Sequence, residues 1–338
     1  RVYSPGDVKA PFLTAPQVAE LQRRFGSLDA VETLPLGQRG LLLEHLRARI
    51  SGVYHVQVSF TVNRELTENE LAHALRRLAG CHDMLRSRFE DQLSGEPIRV
   101  VVSEAGVPLV FEDLRSSADA LGHIRACRSE LRTIPFDLRK QAPLRAYAWL
   151  VEGRTMLLFE VHHIAVDGWS VGILLRGLLS QLLVGEAPEP SPSFSAYQHK
   201  LSQSGFEASK QAWNELLAGL EARTSIVNEL PESLTHPGVA QLELDKEHTA
   251  ALERLARDSG VTLNVIMEAF WATFLGEICD SDDVVYGRVV SGRRADIIQS
   301  DEVVGPCINT IPQRVQLTRE DTIPEIARKI QESNLRML

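Results

Sequence analysis

Residues 155–183 place an apolar run, a polar turn and a second apolar run in direct succession: "TMLLFEVHH", "IAVDG" and "WSVGILLRGLLSQLL". The first alternates with period two, so Leu157, Phe159, Val161 and His163 point one way and Met156, Leu158, Glu160 and His162 the other. The second is apolar on nearly every face, which predicts a buried helix. A chain with both must bury a strand and the helix that follows it. Adjacent histidines on a strand point apart and do different jobs. His163 continues the apolar face to the strand's end, where backbone leaves the sheet and a cleft can form. His162 shares its side with Glu160. Asp167 is placed to cap the helix or to pair with an arginine, and either fixes the loop and therefore the imidazole. Gly168 gives the backbone a conformation, or a close approach, that a Cβ would obstruct.

The rest of the chain alternates strands with helices. "VYHVQVSFTV" (53–62) is a half-buried strand, and Thr67 and Glu70 form a capping box for a helix carrying Leu71, Leu75 and Leu78, with Gly80 as its stop. "LRAYAWLVEGRTMLLFEVHH" reads as two strands joined at Gly153. Gly185 and "EAPEPSPS" (186–193) form the one obvious linker. Beyond it, "VAQLELD" is a strand, "KEHTAALERLARDSG" a helix ending at Gly260, "TLNVIMEAFWATFLGEI" a second apolar helix and "DVVYGRVVSGRR" a strand. At 338 residues the chain exceeds one ordinary core. The expectation is α/β (α+β), with lobes over 1–185 and 194–338.

Net charge is -9 with no basic run, which argues against a nucleic-acid partner. No stretch of eighteen apolar residues predicts a membrane span. The start "RVYSPGDVKAPF" lacks the basic-then-apolar pattern of a secretory signal, and its first residue suggests a piece of a longer chain. A cytoplasmic protein is expected. Cys81, Cys127, Cys279 and Cys307 are far apart, without C-x-x-C spacing, and read as free thiols; no metal site is expected.

"HHIAVDGWS" (162–170) resembles the HHxxxDG motif of condensation domains from nonribosomal peptide synthetases, within the wider chloramphenicol-acetyltransferase-like acyltransferases. "LPLGQRGLLLEHL" (34–46) resembles the family's S-x-A-Q-x-R motif, with Gly37 before Gln38 a departure. "CHDMLRSRF" (81–89) resembles R-H-E-x-L-R-T-x-F, departing at Cys81 and Asp83. "SFSAYQHKL" is loosely similar to the fourth motif, and "VVGPCINTIPQRV" (303–315) strongly resembles the fifth, V-G-x-F-V-N-T. The order "DGWSV", against D-G-x-S-W, favours condensation over epimerisation.

The resemblance implies two lobes arranged as a pseudo-dimer around a central tunnel, the second lobe incomplete at its C-terminus because the family's sixth and seventh motifs are absent. It implies an amide-forming acyltransferase that joins groups carried by donor and acceptor peptidyl carrier proteins. No intrinsic cofactor is implied; the 4′-phosphopantetheine arms belong to the carriers. Other expected partners are neighbouring synthetase domains, and the excised piece is expected to be a monomer. His163 would face the tunnel as base or positioner, and the Gly168 N–H would meet the oxyanion. His162, Asp167 and Arg293, in "SGRR", would support the site. Asn309, Arg86, Ser170 and Trp169 are candidates for the tunnel wall, with either Arg86 or Arg88 facing the cleft. The alternatives are a free-standing acyl-CoA-dependent acyltransferase and a non-catalytic carrier-docking module.

Overall fold

The computed structural model describes residues 10, 12–47, 52–93, 95–104, 106–203, 206–221, 224–226, 241–293, 296–297 and 299–336. The chain divides into two units. One spans Arg1–Gln203 and Ser291–Ile308, the other Ser204–Val290 and Asn309–Leu338.

In the first unit, strands β1 (Leu28–Thr33), β3 (Ser87–Glu90) and β4 (Ile98–Val102) form an antiparallel sheet in the order β1-β4-β3. A four-stranded sheet, β2-β7-β6-β5, combines β2 (His55–Val62), β5 (Leu109–Asp113), β6 (Leu144–Val151) and β7 (Arg154–His162). Among the described strands only β5 and β6 run parallel. Gly153, at φ +72°, makes the tight turn between β6 and β7, where a side chain would be strained.

Both faces of β7 are buried, which accounts for its nearly unbroken apolar run. Leu157, Phe159 and Val161 enter the main core. Leu71, Leu75 and Leu78 of α3 (Glu68–Cys81) and Ile173, Leu174 and Leu178 of α5 (Gly168–Leu179) meet them there. Leu158 packs on the other side with Trp149, Val151 and Ile124, the last from α4 (Ala120–Leu131). Glu160 shares that side and is fully buried; Arg145 of β6, directly opposite in register, holds it at 2.8 Å. Helix α1 (Ala15–Phe25) precedes β1, α2 (Leu36–Arg47) lies between β1 and β2, and α6 (Phe194–Ser202) follows α5.

The second unit has α7 (Phe206–Leu216), α8 (Lys246–Ser259), α9 (Leu263–Cys279), an antiparallel pair β8 (Asp283–Val290) and β9 (Asn309–Gln316), and α10 (Ile323–Arg336). Its core joins Val265, Ile266, Ala269, Ala272 and Leu275 of α9 to Val284, Val315, Ile326 and Ile330. No single helix among the described residues is long and apolar enough to cross a membrane.

Several expectations shift. The α3 capping box at Thr67 and Glu70 is present, but the helix runs past Gly80 to Cys81 and is capped by extended His82. Residues 241–245 of "VAQLELD" are not a strand, and Leu242 is exposed instead of packed; a strand needs a neighbouring edge to satisfy its backbone. Residues 239–240 lie outside the described residues. The division of the chain also differs from 1–185 and 194–338. Helix α6 stays with the first unit because Phe194 and Tyr197 are buried in its core. Residues 291–308, inserted between β8 and β9, join the same core through Ile297, Val303, Val304 and Cys307.

Phe194→Ala is therefore expected to destabilise the first unit by about 3–5 kcal/mol, the range for emptying a buried phenylalanine site, read as a fall in the urea midpoint. A change below about 0.5 kcal/mol, ordinary for a surface substitution, would contradict the placement of α6 in this core.

Candidate active site

The double-histidine turn sits where β7 ends and α5 begins. His162, the last residue of β7, is fully buried. Its Nδ1 accepts the backbone N–H of Ile164 at 3.1 Å, so the ring proton must sit on Nε2. That N–H donates to Nδ1 of His45, from α2, at 3.1 Å. Gln38, on the same face of α2 at i−7, donates its amide to the Ile164 carbonyl at 2.8 Å. Ile164 is thus held through both its N–H and its C=O.

His55 stands opposite His162 across the β2–β7 ladder, its ring 5.9 Å away, and Phe136 lies edge-on to both. Arg145 covers the Phe136 face at 4.0 Å. Burial, reinforced by the neighbouring imidazoles, pushes His162 down to about 2. Burial and the Arg145 charge push His55 down to about 4. Burial also lowers His45. The three rings form a neutral wall behind the turn.

His163 differs in every respect. The strand ends one residue earlier than its pattern predicts, and His163 lies in the turn, partly exposed instead of packed like Val161. Its backbone N–H donates to the Tyr54 carbonyl at 2.9 Å. Among the described residues no protein group hydrogen-bonds either ring nitrogen, and Nδ1 is enclosed without a partner.

Asp167 fixes the other end of the turn, and it both caps α5 and pairs with an arginine. Buried to 1% exposure, its Oδ1 accepts Ser170 N–H at 2.8 Å and Ser170 Oγ–H at 2.7 Å. Arg293 Nη2 reaches Oδ1 and Oδ2 at 2.8 and 3.0 Å, and Cys307 N–H donates to Oδ2 at 3.0 Å. Arg293 Nη1 in turn donates to the carbonyls of Ser300 and Val303. Together these groups set a helix N-terminus, a carboxylate clamp and one uncommitted imidazole around a single turn.

Residues 31–338 match the condensation domain family. The chain belongs to the condensation-domain family. It is 28% identical over 346 residues to bacitracin synthase 3 of Bacillus licheniformis, covering 98% of this chain and 5% of that protein. It is 28% identical over 309 residues to tyrocidine synthase 3 of Brevibacillus parabrevis, covering 88% and 5%. The domain thus spans a small fraction of the curated relatives it matches. Among solved structures, the first condensation domain of the CDA synthetase superposes with a TM-score of 0.72 at 21% identity, over 91% of this chain and 75% of that one. That likeness establishes the mixed α/β fold.

Within this condensation domain the remaining expected site residues fall unequally. Gly168 opens α5 with its N–H in the first turn, where no intrahelical acceptor exists. Its φ is not positive and a Cβ would meet nothing within 4 Å, so the expected obstruction is absent. Trp169 is exposed, its indole N–H donating to the Asp301 carbonyl at 2.8 Å. Ser170 is fully buried, and its hydroxyl is spent on Asp167, Gly305 and Arg293, which corrects its assignment to the substrate wall. Arg86 is also corrected: its guanidinium is anchored on Asp29 and on the Ala79 and Val102 carbonyls, at the end of the other sheet. Arg88 is buried against the Lys140 and Ser87 carbonyls. Asn309 opens β9 in the second unit, its Oδ1 accepting the Thr310 N–H.

Gln38 and His45 are supports of the turn to which the motif resemblance assigns no role. Both lie inside "LPLGQRGLLLEHL", and their seven-residue spacing puts them on one helix face.

A histidine depressed in the fold contributes stability that is complete above its unfolded value near 6.5 and is lost as pH falls toward its folded value. For His55 that window runs from 6.5 to about 4. The urea midpoint is expected to drop across it, and to drop less steeply in His55→Gln. Identical slopes for the two proteins would contradict the neutral wall.

Proposed function

We propose that this condensation domain forms a peptide bond in the cytoplasm, between groups delivered by two peptidyl carrier proteins. The amine of a downstream aminoacyl thioester attacks the carbonyl of an upstream acyl or peptidyl thioester, each on its 4′-phosphopantetheine arm. The C–N bond forms, the carbonyl becomes a tetrahedral oxyanion, and collapse expels the upstream arm as its thiolate. The amine proton reaches that sulfur by way of the His163 imidazole.

One observation carries the proposal: His163 keeps both ring nitrogens free of partners among the described residues, while His162, Ile164 and Asp167 beside it are tied down. A free α-amine titrates near pH 8, so at pH 7 roughly a tenth is already neutral, and its prior deprotonation is worth only about 1.4 kcal/mol. The larger demand is the second proton, lost as the tetrahedral adduct forms, for which a positioned base supplies ~10²–10⁴-fold. Holding the two arms in line contributes on a similar or larger scale. The first-turn N–H of Gly168 meets the developing oxyanion at the positive end of α5. Asp167, Arg293 and His162 act through position only. A carrier-independent acyl-CoA transferase and a non-catalytic docking module are less well supported, since the relatives are peptide synthetases.

His163→Ala is expected to lower single-turnover peptide formation on preloaded carriers by ~10²–10⁴-fold, with carrier binding and the urea midpoint preserved. Unchanged turnover in a folded variant would refute the assignment. Turnover with acyl-CoA but not with acyl carrier protein would move the function to the free-standing transferases.

A further inference from the structure

Away from the double-histidine turn, a second group of side chains converges on one point. Glu112 lies on the edge strand β5, and His123 and Cys127 lie one turn apart on the same face of α4. Their donor atoms all fall within 4.8 Å of one another. His123 Nε2 is 2.8 Å from Glu112 Oε2 and 3.4 Å from Cys127 Sγ. The backbone positions are set independently of these contacts. Ile124, next to His123, is buried with Trp149 and Leu158, and β5 is locked to β6 by its ladder.

A nucleophilic relay is one reading of Cys, His and Glu together, and the geometry rules it out. A relay needs the thiol on one ring nitrogen and the carboxylate on the other. Here a single nitrogen, Nε2, faces both groups. One N–H cannot satisfy two acceptors at once, whereas a cation placed between the three donors satisfies all of them. With Zn–S near 2.3 Å and Zn–N and Zn–O near 2.0–2.1 Å, a tetrahedral centre spaces its ligand atoms roughly 3.3–3.6 Å apart. The present spacings need only small side-chain rotations to reach that.

We propose that Glu112, His123 and Cys127 form a binding site for a divalent ion of the zinc class, clipping α4 to the edge strand β5. Thiolate, imidazole and carboxylate together select a borderline ion such as Zn2+ or Co2+ over Ca2+ or Mg2+. The side chains of His123 and Glu112 are 43% and 37% exposed, so the ion has a path in and a fourth position is open to water. The clip joins β5, the outermost strand of its sheet, to the helix packed beside it, and guards an edge otherwise open to pairing. This site is independent of the peptide-forming one: β6 lies between β5 and β7, and Glu112 aligns through Trp149 with Met156, near the start of β7 and away from the histidine turn at its end. The expectation of no metal rests on the missing C-x-x-C spacing, on adjacent histidines that point apart and on no cluster of thiols or carboxylates along the chain, tests blind to a carboxylate arriving from another element.

Co2+ is the direct probe, because a thiolate ligand adds a sulfur-to-cobalt charge-transfer band in the near ultraviolet. The full chain under reducing conditions is expected to bind one Co2+ with that band, and Zn2+ to displace it. Cys127→Ser should abolish the band, and His123→Gln and Glu112→Gln should each weaken binding by about tenfold or more, with Cys81→Ser unaffected. The absence of the band in the wild-type chain, or its survival undiminished in Cys127→Ser, would overturn the site.

Discussion

A carboxylate at 1% exposure can remain charged only if the fold replaces the water it has lost. Asp167 receives that replacement from three stretches of chain: the first turn of α5, the guanidinium of Arg293 and the backbone of Cys307. Removing one partner of such a pair leaves a buried charge uncompensated, typically at a cost of about 3–5 kcal/mol. The interaction therefore does more than stabilise. It ties the segment 291–308 to the N-terminus of α5, and so it determines where the loop after His163 can run. The thiol of Cys307, which sits against the same cluster, is pushed up by burial to about 12 and stays protonated as a packing group.

From that anchor the two histidines acquire opposite characters. His162 is committed at both nitrogens and lies in a wall of imidazoles that burial keeps neutral. A cation there would be doubly unfavourable, being desolvated and close to Arg145. Neutrality makes the wall a fixed frame of hydrogen bonds instead of a titrating one. His163 is attached to that frame through its backbone, by way of Tyr54, and its side chain is left unengaged. A reactive group needs this combination of a rigid attachment and an uncommitted ring.

Much of this was legible in residue order. The Thr67–Glu70 box and the Gly153 turn follow from local rules, and the fold realises them. The helix after the histidine turn, expected to be buried all round, is buried along one face only, through Ile173, Leu174 and Leu178, with Trp169 exposed. The Asp167–Arg293 pairing was within reach because a buried carboxylate needs a cation and "SGRR" supplied one. Failures arose where a residue's partner comes from elsewhere in space. Ser170 follows Asp167 so closely that it looked available to substrate, yet the carbonyl of Gly305 claims it. Arg86 matched a motif, but Asp29 lies 57 residues away in the chain and holds it elsewhere. His45 and Gln38 carried a usable signal in their helical spacing; their target, the Ile164 turn, could not be inferred from that spacing alone. Residues 241–245 have strand-like alternation without a described partner, and alternation alone does not make a sheet.

The whole arrangement comes down to one histidine locked so that its neighbour can be free. Long-range proton–nitrogen correlation spectra of histidine-labelled protein read this lock without an intermediary, since they report which ring nitrogen bears the proton. His162 is expected to remain the single Nε2–H tautomer from neutral into mildly acidic solution, because the Ile164 N–H occupies Nδ1. Observation of His162 as the Nδ1–H form, or as an imidazolium near neutrality, would contradict the lock and the division of roles built on it.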